Sequence, residues 1–277
     1  MILMLAKSIG EKAFLEGIRI YLKRHQFASA SSEDLWHAFE ESNRTKISVS
    51  MTVRTRTQGY LVVKVSTPCF SRGSTQQNRP YQIQFSQERF FLAGNITPDE
   101  AKVIYPLRLS IRTKSSFVDY LFSTPTMPLP ASDSALFKVN VDHRGFYRIL
   151  YEKDHLLRLR EAHSKGWLSV EDRVGILSDA TALAKAGLQS VRDLLDLVHA
   201  MYSDTSYNVW VQILKSLNTL KSAWFFRDEE IVDGLDKLLQ DFTRRKIGMG
   251  SVIENHSLSD DFKRLLLQAS GKMRKTL

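Results

Sequence analysis

A chain of 277 residues with 43% hydrophobic and 25% charged side chains has the composition of folded globular domains and the length for two or three of them, which excludes disorder of the whole chain. Its single cysteine, Cys69, excludes an intrachain disulfide and any zinc site built from cysteines. The net charge of +9 is spread along the chain and densest between residues 51 and 136; without a stripe of Arg and Lys interleaved with aromatics, no nucleic acid is expected as a partner.

Residues 1 to 25 carry Leu5, Ile9, Phe14, Ile18, Tyr21 and Leu22 at helical spacing, and Gly10 and Gly17 interrupt them, so two short helices or one broken helix are predicted. Ser31-Ser-Glu-Asp34 has the form of a capping box. It starts a further helix that buries Leu35, Trp36 and Phe39. From residue 43 to 136 the pattern changes to short runs: Leu61 to Val65, Tyr81 to Phe85, Phe90 to Leu92, Ile104 to Ile111 and Phe117 to Phe122. Turn-rich pieces separate them, which predicts an antiparallel β-sandwich.

Phe137, Val139 and Val141 alternate with Lys138, Asn140 and Asp142, and Phe146, Tyr147, Ile149 and Tyr151 follow. The intervening Asp142-His-Arg-Gly145 reads as a tight turn with Gly145 at positive φ, so residues 136 to 151 are predicted to form a β-hairpin. Helical spacing takes over from Asp154. Ser169 to Asp172 reads as a capping box and Gly187 as the residue that ends that helix. Ser190 to Asp193 caps the next segment, and amphipathic stretches continue through Trp210 and Leu220, Ile231 to Phe242, and Leu258 to Leu267. Short connections between such helices predict stacked antiparallel pairs, a solenoid.

Asn140, Gly145-Phe-Tyr-Arg148, Tyr151, Asp172-Arg173, Asp179-Ala180 and Ala184-Lys-Ala-Gly187 together resemble the zinc aminopeptidases of the gluzincin class, in particular the alanyl, puromycin-sensitive and endoplasmic-reticulum aminopeptidases. The segments FLEGIRIYLKRHQF and EDLWHAFEE resemble the last helices of that family's catalytic domain. Gln58-Gly-Tyr-Leu-Val-Val, Gln84-Phe-Ser-Gln-Glu-Arg-Phe and Tyr105-Pro-Leu resemble its small third domain. Two departures stand out: Arg54 and Thr55 lie where a tryptophan is usual, and Leu61 where proline is common. Loss of the tryptophan is expected to weaken the packing of the sandwich.

The resemblance implies an α+β multidomain chain. Residues 1–42 are a short α-helical remnant of a thermolysin-like catalytic domain, 43–151 an antiparallel β-sandwich that includes the hairpin 136–151, and 152–277 the first part of the family's longer helical C-terminal domain. A solenoid cut short leaves an apolar face open, so peptides or an aminopeptidase partner chain are the expected partners. The family removes N-terminal residues from peptides with a zinc-activated water, held by His-Glu-x-x-His on one helix face. No such motif occurs, and no two of the seven histidines are four apart. The Gly-x-Met-Glu-Asn segment that resembling enzymes use for the substrate's amino group is also absent, and the transition-state tyrosine belongs upstream of Met1. The expectation is therefore that this chain has no catalytic, cofactor-binding or metal-binding residues and is inactive by itself, with zinc a property of the complete family enzyme. The alternative is an interaction module that uses the open helical domain.

Other constellations are weaker. His37-Ala-Phe-Glu40-Glu41 approaches an inverted zinc motif but has Glu41 where a second histidine must stand, so a polar helix face is expected. Glu152-Lys-Asp-His155 is at most half of a di-iron carboxylate motif. Gly248-Met-Gly250-Ser251 reads as a turn, and Asn43, Asn95 and Asn255 open glycosylation triplets attributed to chance. Tyr147, Arg148, Asp172 and Arg173 have two readings, a groove facing a catalytic domain or fixation of the sheet-to-helix junction, and the second is favoured. The start Met1-Ile-Leu-Met-Leu5 reaches Lys7 without a basic leader or cleavage site, and no apolar run has the length of a membrane span. The cytoplasm is the expected location.

Overall fold

In the computed structural model, the described residues are 1–66, 82–91, 103–130 and 136–224, with the helical positions 230, 233, 234, 237, 240 and 241. The chain divides into two compact units, Met1–Glu152 and Lys153 onward.

The first unit opens with four helices. Helix α1 (Ile2–Ile9) ends at Gly10, whose φ of 87° separates it from α2 (Glu11–Arg24). Gly17 does not break α2. It lies where α2 meets α3 (Ser32–Asn43), and a Cβ there would come within 2.4 Å of the Phe39 ring. That space lets Phe14 stack on Phe39 with ring centroids 5.0 Å apart. The predicted capping box at the start of α3 is present: Ser31 Oγ accepts the Asp34 N–H, and the Asp34 carboxylate accepts the Ser31 N–H at 2.8 Å. Leu5, Trp36, Phe39, Ile47 and Met51 form the helical core, each such side chain contributing roughly 1.5–3 kcal/mol when fully buried.

Within residues 43–151, where only strands are predicted, Ser48–Arg56 forms a fourth helix, α4. Its β-branched residues Val49, Thr52, Val53 and Thr55 favour a strand locally. The helix is specified from a distance: Glu40 Oε1 accepts the N–H groups of Ile47 at 2.6 Å and Ser48 at 2.8 Å, satisfying donors at the start of α4.

The strands form two sheets. In the first, β1 (Tyr60–Ser66), β2 (Gln82–Phe90), β5 (Thr126–Pro130) and β7 (Arg148–Tyr151) run in the order β5-β2-β1-β7. In the second, β3 (Leu107–Arg112), β4 (Phe117–Phe122) and β6 (Lys138–Val139) run in the order β4-β3-β6. The expectation of a wholly antiparallel arrangement is corrected at one edge, where β7 pairs with β1 in parallel, Val63 opposite Ile149.

The predicted hairpin 136–151 does not form. Its first run pairs with β3 in one sheet, Val139 opposite Ile111, and its second run pairs with β1 in the other. The intervening turn is built around Asn140, fully buried at φ 57°. Its amide accepts the Gly145 N–H at 2.7 Å and donates to the carbonyls of Gly145 and Tyr147, each at 3.2 Å. Asn140, Asp142 and His143 take the positive φ values, and Gly145 does not. Gly145 is required for space instead: a Cβ would sit 2.0 Å from the Tyr147 ring. Alternation also misplaces Lys138, which is buried and donates from Nζ to the carbonyls of Val139 and Asn140.

The second unit is helical: α5 (Lys153–Ser164), α6 (Val170–Lys185), α7 (Val191–Ala200) and α8 (Tyr207–Trp224). Ser169 Oγ accepts the Asp172 N–H at 3.1 Å at the start of α6. Ser190 Oγ accepts from Arg192 N at 3.1 Å. Gly187 turns left-handed at φ 73° just past α6, as predicted. Helices α6 and α8 pack against each other; Leu177, Leu183, Ile213 and Leu217 on them are buried, and Thr181 Oγ1 lies 2.7 Å from Ser216 Oγ between the two. The amphipathic stretch 258–267 and most of 231–242 lie outside the described residues.

Candidate functional site

The near-zinc sequence on α3 is divided among structural duties. His37 and Glu41 are exposed; Glu41 pairs with Arg24 at 2.8 Å, and Glu40 caps α4 through Oε1. Burial opposes the charge on Glu40, but the N–H groups of Ser48 and Ile47 and the Ser48 hydroxyl outweigh it and hold the carboxyl below its usual range. Glu152 is exposed ahead of α5, whereas His155 is buried within it, so the two do not share a ligand face. Among the described residues no group of three or more His, Cys, Asp or Glu side chains is placed to hold a metal ion. The described donors therefore form no set of the kind that the family's zinc needs. Asn43 of the first glycosylation triplet donates to Thr45 Oγ1 at 3.1 Å. Cys69, Asn95, Asn255 and Gly248 to Ser251 lie outside the described residues.

The four junction residues belong two to each unit. Tyr147 is buried, its hydroxyl donates to the Arg108 carbonyl at 3.1 Å, and burial raises its pKa. Arg148 lies over the Tyr60 ring at 4.9 Å and the Phe90 ring at 5.8 Å, contacts of the cation–π kind. In the second unit Asp172 is fully buried in the first turn of α6, where the helix dipole favours a carboxylate. Arg173 reaches Asp204 at 3.0 Å. Asp204 is the partner that sequence reasoning misses. It is buried, accepts the Ser206 N–H at 2.8 Å, and its carbonyl accepts the Trp210 Nε1–H at 2.8 Å. The only local signal for it is the Asp-x-Ser spacing of such a turn. His163 belongs to the same group. Burial lowers its pKa, the Asp204 charge opposes that, and Arg173 adds to it.

Arg54 is a second residue the sequence undervalues. Expected as the loss of a packing aromatic, it instead donates to the carbonyls of Phe146 and Pro106, each at 3.2 Å, and lies 5.8 Å from the Tyr105 ring centroid. It stands in the wall of a cavity of about 410 Å³ bounded by α1, α4, β3 and β4.

Two family profiles match the chain. The ERAP1-like C-terminal domain covers residues 136–275, and the peptidase family M1 domain covers residues 1–54. The chain is similar to Aminopeptidase 2 of Candida albicans, 33% identical over 249 residues, 88% of this chain and 26% of that protein. It is similar to the mitochondrial Aminopeptidase 2 of Saccharomyces cerevisiae, 32% identical over 263 residues, 94% of this chain and 25% of that protein. The alanine/arginine aminopeptidase of the same yeast is 29% identical over 245 residues, 88% of this chain and 27% of that protein. The chain thus spans about a quarter of the length of these curated relatives.

Proposed function

The chain belongs to peptidase family M1, the zinc aminopeptidases, as its C-terminal part, and we propose that it is a non-catalytic portion that removes no N-terminal residues from peptides by itself. The observation that carries this reading is the absence, anywhere in 277 residues, of His-Glu-x-x-His or of any two histidines four apart. Two imidazoles one helical turn apart and a glutamate between them are what gather a zinc ion and its water into one site. Without them the water keeps its ordinary pKa and the peptide bond meets no nucleophile. Peptide hydrolysis then requires zinc ligands from further polypeptide or from an aminopeptidase partner chain.

Within this reading the two sheets are the family's β-sandwich, and the helices from Lys153 onward begin its C-terminal solenoid. The ion pair of half-buried Arg173 with buried Asp204 and the capped α6 support a scaffolding role for the second unit. No described helix is long and apolar enough to cross a membrane. The single cysteine supports a reducing compartment, and we place the protein in the cytoplasm. Metal analysis and an aminoacyl-arylamide assay on the purified chain test the proposal.

A further inference from the structure

The cavity in the first unit combines two kinds of wall. Leu5, Ile9, Met51, Leu107, Phe117 and Leu121 give the lining much of its apolar surface. On the exposed strand β4, Phe117 is 50% and Leu121 69% accessible, so the apolar surface continues outward from the cavity. The charged lining is one-sided: Lys7, Lys46, Arg54, Arg108 and Arg144 stand against Asp119 alone. A concavity of about 300–1,000 Å³ with mostly apolar walls and a few polar groups is the usual form of a small-molecule site.

Arg54 gives the cavity its chemistry. Arg144 pairs with Asp142 and Arg108 donates to Ser8. Arg54 has only the carbonyls of Phe146 and Pro106 and the Tyr105 ring, with no carboxylate partner among the described residues. Its Nε–H is buried with no acceptor. A half-buried guanidinium held by neutral carbonyls has no carboxylate to offset its charge, and such a cation ordinarily has a charged partner. Each carbonyl takes one N–H from a terminal nitrogen that carries two, so the carbonyls fix the position of this cation and the remaining terminal N–H groups are left for an anion.

We propose that this cavity binds a carboxylate borne on an apolar chain, the carboxylate meeting Arg54 and the chain lying along α1, α4 and β4. The paired requirement excludes small inorganic anions, which would leave the apolar wall wet, and neutral lipids, which would leave Arg54 uncompensated. A fatty acid and the free C-terminus of a hydrophobic peptide present the same chemistry, and the test separates them.

Isothermal titration of the full chain with decanoate, below its micellar concentration, and with N-acetyl-Leu-Phe reads this directly. Methyl decanoate and N-acetyl-Leu-Phe amide serve as neutral counterparts. Saturable binding at one site by either acid, with at least roughly tenfold weaker binding of its neutral counterpart, is expected. The acid that binds identifies the source. Arg54→Met should weaken binding of that acid by roughly tenfold or more, with Arg54→Lys retaining part of it. Leu121→Asp, an exposed position that leaves the core intact, should also abolish binding and keeps the test available if the Arg54 variant does not fold. Failure of both acids to bind, equal binding of acids and neutral counterparts, or indifference to Leu121→Asp would overturn the proposal.

Discussion

The Tyr151 hydroxyl accepts the Val139 N–H at 2.9 Å and donates to the carbonyl of the same residue at 3.2 Å. Tyr151 ends β7 of the four-stranded sheet, and Val139 ends the two-residue strand β6 of the three-stranded one. Strand β6 bonds to β3 on one side, and the phenol serves the backbone groups of Val139 that the ladder does not use. Tyr151→Phe keeps the ring and strands the buried Val139 N–H, while Lys138 Nζ still donates to the Val139 carbonyl; an unmet buried donor costs about 1–3 kcal/mol. Urea denaturation should show a lower midpoint with an unchanged slope; an unchanged midpoint would mean that water satisfies Val139 equally well.

Gly145 and Tyr147 make a steric prediction. A Cβ at Gly145 would lie 2.0 Å from a ring that is buried and tied by its hydroxyl to the Arg108 carbonyl. Gly145→Ala must displace that ring, and overpacking of this kind costs about 1–3 kcal/mol. Were Gly145 needed for a left-handed turn, Gly145→Asn would be tolerated better than Gly145→Ala. The opposite order, with the larger side chain worse, is expected in thermal denaturation.

Glu40 links α3 to α4 by charge. Its carboxyl pKa is lowered by the Ser48 and Ile47 donors against the opposing effect of burial. A lowered folded pKa gives stability that is present above the ordinary carboxylate value of about 4.3 and lost as pH falls through the folded value. Glu40→Gln should therefore be less stable than the parent at pH 7, with the two converging as pH falls through the lowered folded value. Parallel curves across that range would remove Glu40 from the acid sensitivity.

These cases also mark what a sequence can disclose. Ser31, Ser169 and Gly187 act on backbone groups within a few residues, so their roles are visible in short windows. Glu40 acts on Ser48, Arg173 on Asp204 and Arg54 on Phe146, across 8, 31 and 92 positions, and no local pattern joins them. The hairpin reading fails for a related reason. Alternation describes which side chains fit a sheet, not which strand is the neighbour. Asn140 redirects the chain by three side-chain hydrogen bonds that only the folded turn contains. For the chemistry the balance is reversed. The missing zinc motif is a property of the sequence, whereas the cationic, apolar-walled cavity around Arg54 requires α1, α4, β3 and β4 to be brought together.

The second unit has its own pH dependence. His163 has a pKa lowered from its ordinary 6.5, chiefly by burial. Unfolding in mild acid frees it to take up a proton, so its contribution is present above about 6.5 and lost as pH falls toward the folded value. His163→Asn should flatten that part of the pH–stability profile, and an unaltered slope on the acid side of about 6.5 would show that other groups produce it.

Zinc content and aminoacyl-arylamide hydrolysis, measured on one purified preparation supplied with zinc, decide whether this M1 chain carries peptidase chemistry of its own. Zinc well below one equivalent and no turnover above buffer are expected. Stoichiometric zinc together with turnover that a chelator abolishes would contradict the proposal.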